Sequence, residues 1–101
     1  MKNIRDLLDG DLNIKNEITL NGLKIGNVIV NNNITFRVKG ILTGDITIKQ
    51  NGVLIIDGGL INGNIFNSGI CLINGVINGL LFTLSGKSGF SRNGYLNAHQ
   101  I

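Results

Sequence analysis

The sequence has no proline and no tryptophan, a single cysteine, a single histidine and an aromatic share of only 5%. One cysteine excludes an intrachain disulfide, and no paired Cys or His residues stand at zinc-ligand spacing. The only histidine, His99, lies in a polar tail near the chain end, with no carboxylate or nucleophile reliably beside it. No catalytic role is expected of it, and the chain is read as a non-enzyme without cofactor, metal or small-molecule substrate. The fragment Gly86-Lys87-Ser88 lacks the rest of a phosphate-binding loop.

There is also no charge run and no long apolar run. Nine Lys and Arg against six Asp and Glu give a formal net charge of +3, but the basic residues are scattered from Lys2 to Arg92. Scattered charges read as solvated faces, so no nucleic-acid partner is expected. The N-terminus turns polar at Asp9, too early for a secretory leader or a membrane span. Membrane contact is expected to be peripheral at most and the location cytoplasmic, where a lone reduced thiol is stable.

What remains is 43% hydrophobic and holds 15 glycines in 101 residues, a length that suits one domain. With so few aromatics, the core must come from Ile, Leu and Val, which favour strands. Asn-Gly pairs at Asn21, Asn51, Asn62, Asn74, Asn78 and Asn93 mark turns between them.

An internal repeat organises the chain. Glycines separated by three residues recur as Gly22/Gly26, Gly40/Gly44, Gly59/Gly63 and Gly75/Gly79. With Gly10 as the first marker, the second glycines step forward by 16, 18, 19 and 16 residues. After each marker comes an alternating strand, headed by Asp11, Asn27, Asp45 and Asn64 but by Leu80 in the last copy.

Alternation by two sends Leu12, Val28, Ile46, Ile65 and Leu81 inward on a first side, with Ile14, Val30 and Ile48 beside them and a weakening at Asn67 and Thr83. A strand before each glycine pair builds a second side from Leu20, Val38, Ile56 and Ile73, and from Ile18, Phe36, Leu54 and Cys71. In that column Cys71 reads as a small buried hydrophobe of little reactivity. The Gly-x-x-x-Gly segment supplies a third side, with Leu23, Ile41, Leu60 and Val76 assigned inward. The expected fold is an all-β, single-domain β-solenoid of about five coils over residues 10–84, between an N-terminal cap (1–9) and a C-terminal cap or tail (85–101). Ile4, Leu7 and Leu8 are expected to form an amphipathic turn over the first coil.

The motif Gly-x-x-x-Gly-Asp/Asn-Ile, seen at Gly40–Ile46 and Gly59–Ile65, resembles that of the bactofilins, bacterial polymer-forming cytoskeletal proteins. The resemblance covers roughly Gly10 to Thr83. It implies a right-handed β-helix that assembles end to end, without nucleotide, into cytoplasmic scaffolds.

The residues themselves point to surfaces rather than to chemistry. The outward column of the first side reads Asn13, Ile29, Thr47, Phe66 and Phe82; that of the second side reads Thr19, Arg37, Ile55 and Leu72. Exposed apolar strips usually meet a partner, so Ile29, Phe66, Phe82, Ile55 and Leu72 are the candidate surface. Two functions follow: a structural protein that self-associates into a dimer or polymer through coil ends or an apolar side, or a module, inhibitor or immunity protein in kind, that binds one protein partner.

Overall fold

The computed structural model describes residues 2–4, 8–9, 11–84, 87–90 and 95–96, with side chains over 11–84. Every strand pairing is parallel, and each coil visits three faces in turn. The first face stacks β3 (Leu12–Ile14), β6 (Val28–Val30), β9 (Ile46–Ile48), β11 (Ile65–Asn67) and β13 (Leu81–Thr83) into a sheet of their own. The second face begins with β1 (Lys2–Ile4), β4 (Ile18–Leu20) and β7 (Thr35–Val38); the third begins with β2 (Leu8–Asp9), β5 (Leu23–Ile25) and β8 (Ile41–Thr43). Two long strands, β10 (Val53–Asn62) and β12 (Ile70–Asn78), turn the corner between these faces and join them into one sheet. The second and third faces end with β14 (Lys87–Phe90) and β15 (Tyr95–Leu96), both paired with β12.

The result is a β-solenoid of about four turns, slightly fewer than the five coils expected. Marker glycines count levels, and five stacked levels on the first face enclose only four complete turns between them.

The uneven spacing has a local cause at two corners. Ile14 to Ile18 and Asn67 to Cys71 cross from the first face to the second in four residues, whereas Val30 to Phe36 and Ile48 to Leu54 take six. In those longer corners Asn33 and Asn51 adopt left-handed backbone, at φ 64° and 65°, a conformation asparagine tolerates better than most residues. The 19-residue coil has one further residue, Gly58, at φ 79°, where the ladder slips between Asp57 and Leu60. A 16-residue coil is therefore the basic unit, lengthened by two at one corner and by one more at the other.

The repeated glycines are required by the stacking distance between coils. A Cβ placed on Gly63 would lie 2.0 Å from the carbonyl oxygen of Gly44, and one on Gly79 would lie 1.9 Å from that of Gly63. Strands at about 4.8 Å spacing leave no room there for a side chain. Beside this line of glycines runs a ladder of side-chain acceptors. Asn27 donates its backbone N–H to Asp11 Oδ1 (2.9 Å), Asp45 to Asn27 Oδ1 (3.0 Å), Asn64 to Asp45 Oδ1 (3.0 Å) and Leu80 to Asn64 Oδ1 (2.9 Å). The Asp or Asn after each marker thus satisfies a backbone donor at the corner of the next coil.

The core is aliphatic, as expected on two faces. Val28, Ile46, Ile65 and Leu81 stack in one buried column, and Phe36, Leu54 and Cys71 in another. Asn67 interrupts the first face but is fully buried, its Oδ1 accepting the N–H of Gly69 at 2.9 Å.

The third face reverses the expected phase. Leu23 and Ile41 are exposed and Leu60 and Val76 half-buried, while Lys24, Leu42, Ile61 and Ile77 point into the core. Alternation continues unbroken through the corner glycine, from Leu20 across Gly22 to Lys24 and from Ile73 across Gly75 to Ile77. In the 19-residue coil Gly58 absorbs the extra residue and keeps the same phase.

The terminal segments contribute strands where they are described, at residues 2–4, 8–9, 87–90 and 95–96. Instead of an amphipathic turn, Ile4 stands in β1 beside Leu20, and Leu8 in β2 beside Lys24. Parallel pairing satisfies backbone groups that such a turn would leave on the edge of the second coil. Leu7, Gly10 and His99 lie outside the described residues.

Candidate functional site

On the first face the column Asn13, Ile29, Thr47, Phe66 and Phe82 stands outward in unbroken register. Phe66 and Phe82 stack with ring centroids 5.0 Å apart and planes 4° from parallel. The strand spacing imposes this distance, and each ring shields a face of the other, so both are half-buried. Ile29 is exposed, but Thr47 separates it from the two rings.

Ile55 and Leu72 belong to the second face, where they are neighbours in register. Val53 and Ile70 form the adjacent register pair, giving an apolar block of four in which Ile70 and Leu72 are the most exposed. Toward the N-terminus the same face turns charged: Arg37 Nη1 lies 3.2 Å and Lys39 Nζ 3.9 Å from Asp57 Oδ2. Thr19, in the same outward column, is buried. The five candidate residues stand on two faces, as the sequence placed them: Ile29, Phe66 and Phe82 on the first, Ile55 and Leu72 on the second.

Sequence reasoning missed the third face. Leu23, Ile41, Leu60 and Val76 form an aliphatic column in unbroken register, followed at the next register position by Tyr95. Leu23 and Ile41 are 47% and 39% exposed, and Ile25 beside them is 50% exposed. The available signal was the two-residue count onward from Leu20, which assigns Leu23 outward. It was obscured because it also sends a lysine into the core.

Lys24 is that lysine, 1% exposed, with Nζ donating to the Ile25 carbonyl at 3.3 Å. Cys71 is buried as expected, and loss of solvent pushes its thiol up to about 12. A thiol so raised is almost wholly protonated near neutral pH and a poor nucleophile.

Among the described residues β1, β2 and β3 are edge strands at one end of the solenoid and β13, β14 and β15 at the other. The acceptor ladder stops at this second end, because Leu80 donates to Asn64 but has no side-chain oxygen to offer a further coil.

The chain thus defines a β-solenoid with apolar columns on its outer faces. Compared with protein-family models, curated proteins and solved structures, it matches none. Among the described residues no helix is long and apolar enough to cross a membrane.

Proposed function

We propose that this chain is a structural protein that works by associating with itself, a bactofilin-like scaffold component of the cytoplasm whose role is mechanical rather than catalytic. The observation that supports this most is the repetition of exposed aliphatic side chains in register along the outside of the solenoid. Such columns add little to the stability of a lone monomer, and burying them against another surface is favourable by about 25 cal/mol per Å². Parallel edge strands at both ends offer a second mode of association.

A second reading, a module of fixed size that binds one different protein, draws support from Leu80. A copy stacked end to end on that side would find the acceptor ladder interrupted. Light scattering across a wide concentration range, at low and moderate salt, separates the two. Mass that grows with concentration supports self-association; a constant monomer overturns it and favours the binding module.

A further inference from the structure

The first face repeats one corner contact at every level but the last. Asp11, Asn27, Asp45 and Asn64 each offer Oδ1 to the backbone N–H that heads the next level, at 2.9–3.0 Å. Leu80 heads the level of β13 and has no oxygen to offer. Polarity changes at the same place. The outward positions along β13 and its flanks are Leu80, Phe82 and Leu84, where the level of β9 has Asp45, Thr47 and Lys49.

The rest of this face suits a second copy stacked head to tail. Leu12 and Leu81 belong to one column, so the second copy's β3 would continue the sheet with its Leu12 over Leu81, its Asn13 beside Phe82 and its Ile14 over Thr83. Residue 10 is glycine and brings no Cβ against the Gly79 carbonyl. The second copy's Asp11 N–H would then arrive where every earlier level supplies an acceptor, and would meet the Leu80 side chain instead.

Resting on the self-association reading, we propose that Leu80 is a stop residue: it closes this end of the solenoid to head-to-tail stacking and leaves association to the outer faces. Withholding an acceptor from one backbone donor weakens stacking by about 5-fold or more. Such a device answers a hazard of the fold, because parallel edge strands on matching coils otherwise invite further chains without limit.

Restoring the acceptor should open the end. Leu80→Asn completes the ladder, while its own main chain still donates to Asn64. In a chain that also carries Asn13→Cys and Phe82→Cys, head-to-tail stacking brings these two Cα atoms about 4.8 Å apart, within disulfide range; inside one chain they stand four levels, about 19 Å, apart. Cys71 is buried and stays out of the reaction. Under mild oxidation the pair should yield a ladder of linked chains on a non-reducing gel with Leu80→Asn, at about 5 times or more the yield with Leu80 or with Leu80→Ala. If Leu80→Asn fails to fold, Leu80→Asp supplies the other acceptor that the ladder uses. Equal cross-linking with Leu80 and Leu80→Asn overturns the stop. So does cross-linking in neither, because the end then stays closed with its acceptor restored. Light scattering of the wild type keeps this apart from the self-association reading. A wild type that stays monomeric while the Leu80→Asn chain grows upholds the stop and overturns that reading; a growing wild type with equal cross-linking overturns the stop and leaves that reading standing.

Discussion

Asp45 accepts the backbone N–H of Asn64 through Oδ1 at 3.0 Å, one coil further along the solenoid. Its own N–H donates to Asn27 Oδ1 at the same distance, so acid and amide are interchangeable in the ladder. Asp45→Asn should therefore change stability by less than about 0.5 kcal/mol. Asp45→Ala leaves the Asn64 N–H without its acceptor and should cost about 1–2 kcal/mol. Urea unfolding of the two variants checks both values.

Gly63 and Gly58 should respond oppositely to a side chain. At Gly63 a Cβ would lie 2.0 Å from the Gly44 carbonyl oxygen, whereas at Gly58 it would meet nothing within 4 Å. Gly63→Ala must push two coils apart and should cost more than about 3 kcal/mol or prevent folding. Gly58→Asn retains a residue that tolerates the φ of 79° and should cost about 1 kcal/mol or less. Thermal melts of the pair provide the comparison.

Lys24→Met replaces a buried lysine side chain with an apolar one of similar length. It should stabilise the protein by about 1–3 kcal/mol, read as a higher denaturant midpoint. A destabilised variant would place the Lys24 side chain outside the core.

Burial raises the Cys71 thiol from 9.0 to about 12, so the folded state holds this proton more tightly than the unfolded one. The stabilisation is fully present below about pH 9 and is lost as pH rises toward 12. While only the unfolded thiol ionises, the loss is about 1.4 kcal/mol per pH unit. The difference in stability between wild type and Cys71→Ala should shrink over that window. At pH 8 a thiol reagent should label native protein far more slowly than unfolded protein.

Phe82 stacks on Phe66 at the surface rather than in the core. Phe82→Arg should fold and lose about 0.5–1.5 kcal/mol through the broken ring pair, read from thermal melts. Association abolished in a well-folded Phe82→Arg variant would assign the self-association surface to the first face.

Much of this architecture is legible in the linear sequence. The glycine pairs reveal the repeat, because stacked strands exclude side chains at those corners. Two inward walls follow from alternation, since Val28, Ile46 and Ile65, or Phe36 and Leu54, are apolar at every level. The Asp or Asn after each marker is equally visible, although its use as an acceptor for the next coil appears only when the coils are stacked.

The sequence alone determined that this chain is a repeating, parallel, aliphatic-cored β-solenoid, because period and alternation are local properties of the chain. Only the tertiary structure decided which columns stay uncovered. Leu23 and Lys24 are adjacent on a short strand, and composition favours sending the leucine inward. Closure of the coil through Gly22, in register with Gly40 and the coils beyond, requires the lysine there instead. That phase turns Leu23, Ile41, Leu60 and Val76 to the outside, and with them the candidate site.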